Sequence, residues 1–175
     1  MPDNSSGPVK TWLKISTVAV LVLAVGFLWF RWKQNEPQRL CLSALQNLHA
    51  ALNSSGADTL LNFLVLPQAI QTKTTAEKIE FVRKALQDEI SLAGLKVLQK
   101  EGAFGPLKEI FPAEANAWVT QAGVSVEDCV AFKLERSGLR TEVVLYRPSS
   151  INHQASAHAF RVVRMNNVKQ LAANL

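Results

Sequence analysis

Between Ile15 and Phe30 the chain carries sixteen residues without a charge, and ten of them are Leu, Ile, Val or Phe. Extended back to Thr11 the stretch holds 20 residues, which at about 1.5 Å per residue matches a hydrocarbon core of about 30 Å. The pattern predicts a transmembrane helix, with its flanks, over residues 11–33. Trp12 and Lys14 stand at one border and Trp29, Arg31, Trp32 and Lys33 at the other, residue types that favour the headgroup level. A cleavable signal peptide is the rival reading. The run exceeds the usual apolar core of about 7–15 residues and ends in Gly26-Phe-Leu-Trp-Phe30, where a peptidase needs small residues. An uncleaved single-pass signal anchor in the cell membrane is therefore expected, after a polar tail over residues 1–10 that holds too little apolar surface to offset the entropy of ordering.

Residues 34–39 read as a short polar linker, and residues 40–175 as one small domain. Leu40, Leu42, Leu45, Leu48 and Leu52 recur at helical spacing as far as Asn53, and Ser54-Ser55-Gly56 stops the helix. A short helix is predicted over Thr59 to Leu66, ended by Pro67. Thr74-Thr75-Ala76-Glu77 fits a capping box. From there Ile79, Val82, Leu86, Ile90, Ala93 and Val97 place one apolar face on a core, with Ser91 and Gly94 as the point of division and Glu101-Gly102 as the end. Phe104 to Gly123 reads as two short helical patterns bracketed by Gly105, Pro106, Pro112 and Gly123.

The period then changes from that of a helix to that of a strand. Val130, Phe132 and Leu134 alternate with Cys129, Ala131, Lys133 and Glu135, and Thr141, Val143 and Leu145 resume the alternation after Ser137-Gly138. A two-residue loop at that point sets Arg136 opposite Leu139, Glu135 opposite Arg140, Leu134 opposite Thr141, Lys133 opposite Glu142, Phe132 opposite Val143 and Val130 opposite Leu145. Two opposite-charge pairs then share one face and the apolar pairs the other. A third strand near Ala157 to Met165, an Asn166-Asn167 turn and a final strand Val168 to Ala172 complete the pattern. The predicted class is α+β: an N-terminal transmembrane helix, then a helical layer packed on one face of a C-terminal antiparallel β-meander.

Charge changes this picture little. The net charge is +5, and from Asp128 to Leu175 there are seven basic against three acidic residues, whereas Arg31 to Glu127 carries ten of each. The basic residues are scattered along strands, so the excess reads as a solvated face. Nucleic acid is not expected as a partner, because no basic and aromatic residues interleave as a base-stacking surface requires. Lys10 and Lys14 before the apolar run nearly balance Arg31, Lys33 and Arg39 after it. The length of the following domain favours an N-terminus inside and an extracytoplasmic domain.

The order of elements resembles the nuclear-transport-factor-two-like (cystatin-like cone) superfamily. The resemblance rests on the helix Leu40 to Asn53, its Ser54-Ser55-Gly56-Ala57-Asp58 turn into a short helix, and the long capped helix before the meander. The strands that the family places among its helices are reduced here to Ile70-Gln71-Thr72 at most. The resemblance implies a pocket between sheet and helices, used by different members for isomerase or dehydratase chemistry, ligand binding or protein assembly, and the fold alone does not choose among these.

Candidate chemistry is sparse. His49 has no ligand type at i+4, and His153 and His158 flank a loop with no third ligand nearby, so no metal is expected. Asp128 and Tyr146 would form the superfamily's carboxylate and phenol pair, but strand alternation sends them to opposite faces. Asp128 stands instead opposite Arg147, as an end-of-hairpin ion pair. Cys41 and Cys129 are either buried thiols or, in an oxidising compartment, a disulfide. Gly102-Ala-Phe-Gly105 lacks the length and Lys of a phosphate loop, and no serine elbow occurs. These residues predict a non-catalytic domain, without cofactor, for ligand binding or for assembly with an envelope protein or a second copy. An enzyme acting on a small molecule in a pocket between sheet and helices is the alternative.

Overall fold

The computed structural model describes residues 23–26, 36–54, 57–147 and 159–173. Contacts divide the chain into two units, Met1–Pro37 and Gln38–Leu175. In the first, residues 23–26 form one helical turn with Leu23 and Val25 exposed. This corrects the predicted single-pass membrane helix over residues 11–33: among the described residues, no helix is long and apolar enough to cross a membrane. Trp12, Lys14, Trp29, Arg31, Trp32 and Lys33 lie outside the described residues.

Helix α1, Glu36–Asn53, starts inside the predicted linker. Pro37 suits a first helical turn, where its missing N–H costs nothing, and Glu36 faces the positive end of the helix dipole. Cys41, Leu42, Ala44, Leu45, Leu48 and Ala51 form its buried face. After α2, Ala57–Leu60, a single 3₁₀ turn covers Leu61–Phe63. The helix predicted to Leu66 stops there because Leu64 bridges to Val162, and the Val65 amide donates to the Val162 carbonyl at 2.9 Å. Helix α3, Gln68–Gln71, occupies the position of the supposed remnant strand.

Helix α4, Thr75–Leu86, opens with the capping box read from the sequence: Thr74 Oγ1 accepts from the Glu77 amide, and Glu77 accepts from the Thr74 amide at 3.0 Å. Helix α5, Leu92–Glu101, starts afresh with Ser91 as its cap, Oγ accepting from the Gly94 amide at 3.1 Å.

The described strands are β1 (Ala103–Pro106), β2 (Cys129–Arg136), β3 (Leu139–Tyr146) and β4 (Arg161–Asn166), hydrogen-bonded in that order and all antiparallel. Every β2–β3 pairing predicted from the two-residue loop is present. Ser137 and Gly138 have φ of 50° and 77°, so both central residues are left-handed, the geometry of a type I′ turn that follows the twist of the flanking strands. Strand β1 replaces a predicted turn region. It carries Gly105 and Pro106, which an edge strand tolerates because Pro need not donate to a ladder. Between the Val144 and Leu145 pairings β4 bulges, so Val163 and Arg164 together oppose one residue of β3.

The last element, α8, Val168–Ala173, is a helix where a strand was predicted. Val168 and Leu171, three residues apart, are its buried contacts, and that spacing suits a helix face.

Helices cover both faces of the sheet, not the single face predicted. On one face Phe132, Val143, Leu145 and Val162 pack with α1, α4, α5 and α8. On the other, Ala131, Val144 and Cys129 pack with Leu107 and Phe111 around α6 (Leu107–Ile110) and with Ala115 and Val119 of α7 (Ala115–Ala122). Strand β2 is buried on both sides at this end because its second row opens with Cys129 and Ala131, which are small enough for close helix packing.

Candidate functional site: an arginine-lined cleft

The space between sheet and helices, where the resemblance places a pocket, is filled on the α1 side by Phe132, Val143 and Leu145, all fully buried. A cleft of about 420 Å³ opens instead between helices: the C-terminal half of α1, the end of α4, the turn to α5, and the start of α8. His49 and Asn53, one helical turn apart, line it from α1, and Arg83 and Gln87 do the same from α4. Lys169 enters from α8, and Leu52 and Ile90 supply an apolar wall.

Asn53 and Lys169 are held in place. Asn53 Nδ2 donates to the His49 carbonyl at 2.8 Å and lies 3.4 and 3.5 Å from the two imidazole nitrogens. The Lys169 amide donates to the Glu89 carbonyl at 2.9 Å, and Lys169 Nζ stands 2.9 Å from Asp88 Oδ1 at the rim. Arg83 Nη2 reaches the Ser54 carbonyl only at 3.5 Å. Its Nε is buried with no hydrogen-bond partner, and Arg83 takes part in none of the ion pairs among the described residues. No Asp or Glu is among the residues lining the cleft. The site is thus rich in donors, carries net positive charge and has an apolar floor.

A second polar cluster covers the opposite face of the sheet. The Glu142 side chain, 8% exposed, accepts from Arg164 Nε at 2.9 Å and lies 2.7 Å from Arg140 Nε. The Arg140 contact is an ion pair without hydrogen-bond direction, since that Nε makes no hydrogen bond. Arg140 also donates to Glu114 at 2.8 Å, which holds the Glu114 carboxyl below its ordinary range and raises Arg140. The Arg164 guanidinium lies 4.8 Å from the Trp118 ring centre and that of Arg140 5.2 Å from Phe111. Every charge here has a partner, which distinguishes the cluster from the cleft.

The predicted charge pairs are adjacent in register but do not bond across the strands. Lys133 pairs with Glu135 at 3.0 Å and Arg140 with Glu142, each along its own strand. Cys41 and Cys129 are free and buried in different cores on opposite faces of the sheet, so the candidate disulfide is not formed. Burial raises both thiol pKa values, that of Cys129 to about 12. Asp128 ends a 3₁₀ turn, Val126–Asp128, while Tyr146 packs against the second core, and no hydrogen bond joins them. Asp128 meets Arg147 through the backbone, its carbonyl accepting from the Arg147 amide at 2.9 Å, and the Arg147 guanidinium lies over Phe160. Of the histidines, His49 lines the cleft, and His153 and His158 lie outside the described residues. Among the described residues no group of three His, Cys, Asp or Glu is placed to hold a metal ion.

Sequence reasoning missed Arg83, Gln87 and Lys169. One signal existed: Arg83 sits four residues after Ile79 and next to Val82, at the margin of the apolar stripe of α4.

No protein-family model matches the chain, and neither a curated protein nor a solved structure matches it.

Proposed function

We propose that the folded domain is a non-catalytic binding domain that takes a small ligand in the cleft between α1, α4 and α8. The observation that carries this reading is Arg83, which lines the cleft and whose buried Nε has no hydrogen-bond partner. Buried donors are nearly always satisfied, because an unmade hydrogen bond to a charged group costs more than about 1–3 kcal/mol. A ligand that supplies the missing acceptor explains why the arrangement is kept. The lining also favours binding over chemistry, since it offers hydrogen-bond donors, while both thiols are buried in the cores and held protonated. Kinship with the nuclear-transport-factor-two-like superfamily belongs to this proposal at the level of element order. The reading rests on the folded domain alone.

Titrating the full chain with a panel of small polar molecules, neutral and charged, while following backbone amide resonances tests it. The amides of Asn53, Arg83, Gln87 and Lys169 should shift together. Shifts confined to the sheet face carrying Glu142, or conversion of a bound molecule to product, would overturn the reading.

A further inference from the structure

Resting on that reading, we infer that the cleft selects a compact oxyanion, a phosphate or carboxylate, carried on a short apolar body. Arg83 and Lys169 both line the cleft, and its lining holds no acidic residue to neutralise them. Asp88, with its side chain 86% exposed, meets Lys169 from the rim, and Glu89 is engaged by the Asn167 amide at 2.6 Å. Glu80 and Asp88 line the adjoining open groove, which Arg83, Lys84 and Gln87 share, and neither forms an ion pair with Arg83. Among the described residues Lys169 therefore has an ion-pair partner and Arg83 has none.

Arg83 is half-buried with its Nε wholly so, and a guanidinium in that setting suits an anion that accepts from its paired N–H groups. The buried Nε makes no hydrogen bond and the adjacent Nη2 has only the long contact to Ser54, so the guanidinium keeps donor capacity for an oxyanion. The Gln87 and Asn53 amides add neutral donors, and Leu52 and Ile90 form the wall against which a short hydrocarbon body would pack. The volume of about 420 Å³ lies in the range of small-molecule sites.

Calorimetric titration of the full chain with butyl phosphate, butyrate, inorganic phosphate and, as the neutral control, butanol tests the inference. Butyl phosphate or butyrate should bind, more weakly as salt rises, and butanol should not; the tighter of the two names the oxyanion. Arg83→Gln should weaken binding by about tenfold or more. Arg83→Lys should also weaken it, because a point charge does not replace the fork. Lys169→Gln should have a smaller effect. Without ligand, Arg83→Gln should melt no lower than the parent, since the replaced cation has only a long 3.5 Å contact to the Ser54 carbonyl to lose; a lower melting temperature would mark Arg83 as structural and overturn the inference. Anion binding unchanged in both Arg83 variants would also overturn it. Cleft amides shifted by neutral molecules but by no anion would overturn the inference and leave the binding reading standing. Failure of every probe, neutral ones included, would overturn both.

Discussion

Gly94, the third residue of α5, lies against the carbonyl of Val168, the first residue of α8: a Cβ built on the glycine would stand 1.8 Å from that oxygen and 2.8 Å from its carbon. The two helices therefore meet backbone to backbone. Lys169 follows directly, so the absence of a side chain at position 94 sets how closely one wall of the cleft approaches the rest.

Gly94→Ala should destabilise the domain by about 2–4 kcal/mol, because the obstructing atoms are backbone and cannot rotate away. Urea unfolding of the variant measures this. Gly105→Ala is the control: there the added Cβ would meet only the flexible end of Ile110 at 3.4 Å, and the loss should stay below about 1 kcal/mol. Equal losses at the two positions would mean that α5 and α8 do not touch.

Asn167 turns the chain from β4 into α8 with φ of 63°, and its Nδ2 donates to the Arg140 carbonyl at 2.8 Å. Asn167→Gly keeps the backbone freedom and loses the bond, a cost of about 1 kcal/mol. Asn167→Ala loses the bond and adds left-handed strain, so about 2–3 kcal/mol is expected from unfolding curves. A glycine variant no more stable than the alanine variant would show that φ carries no strain.

What could be read from the sequence follows the range over which each signal acts. The β2–β3 register was legible because a two-residue loop and the alternating Phe132, Leu134, Thr141 and Val143 are local and agree. The Thr74 capping box was legible for the same reason. Ala103–Pro106 was not, since Gly105-Pro106 reads as a turn and only pairing with residues 130–133 makes it a strand. Val168 and Leu171 fit a strand or a helix over so short a segment, and tertiary contact with Gly94 decides. The charge-free run was the strongest single pattern, yet among the described residues no helix is long and apolar enough to cross a membrane. Arg83 was visible at the margin of a stripe, but that it joins no ion pair among the described residues is a fact of the assembled fold.

Register alone makes Lys133 the partner of Glu142, whereas the structure gives Glu142 to Arg164 and Arg140. A double-mutant cycle separates the two. Glu142→Ala with Arg164→Ala should show a coupling of about 1–3 kcal/mol, and Glu142→Ala with Lys133→Ala less than about 0.5 kcal/mol. The cycle cancels the loss of Arg164 stacking on Trp118, which occurs in both arms. A larger coupling with Lys133 would show that Glu142 pairs across to β2 and not to β4.

The capping box at α4 predicts a pH dependence whose sign can be worked out. The Thr74 hydroxyl, and after it the Thr74 amide, bind the Glu77 carboxylate and lower its pKa from the ordinary 4.5. A carboxyl lowered in the folded state contributes stability that is fully present above its unfolded value and is lost as pH falls through the folded one. Glu77→Gln keeps an oxygen that can accept from the Thr74 amide but has no proton to gain. The parent should therefore be the more stable at neutral pH, and the two urea midpoints should converge as pH falls below about 4. Glu114, lowered chiefly by Arg140, titrates in the same region, but it is present in both proteins and cancels in the difference. A difference that stays constant from neutral pH to about pH 3 would show that the Glu77 charge takes no part in holding the start of α4.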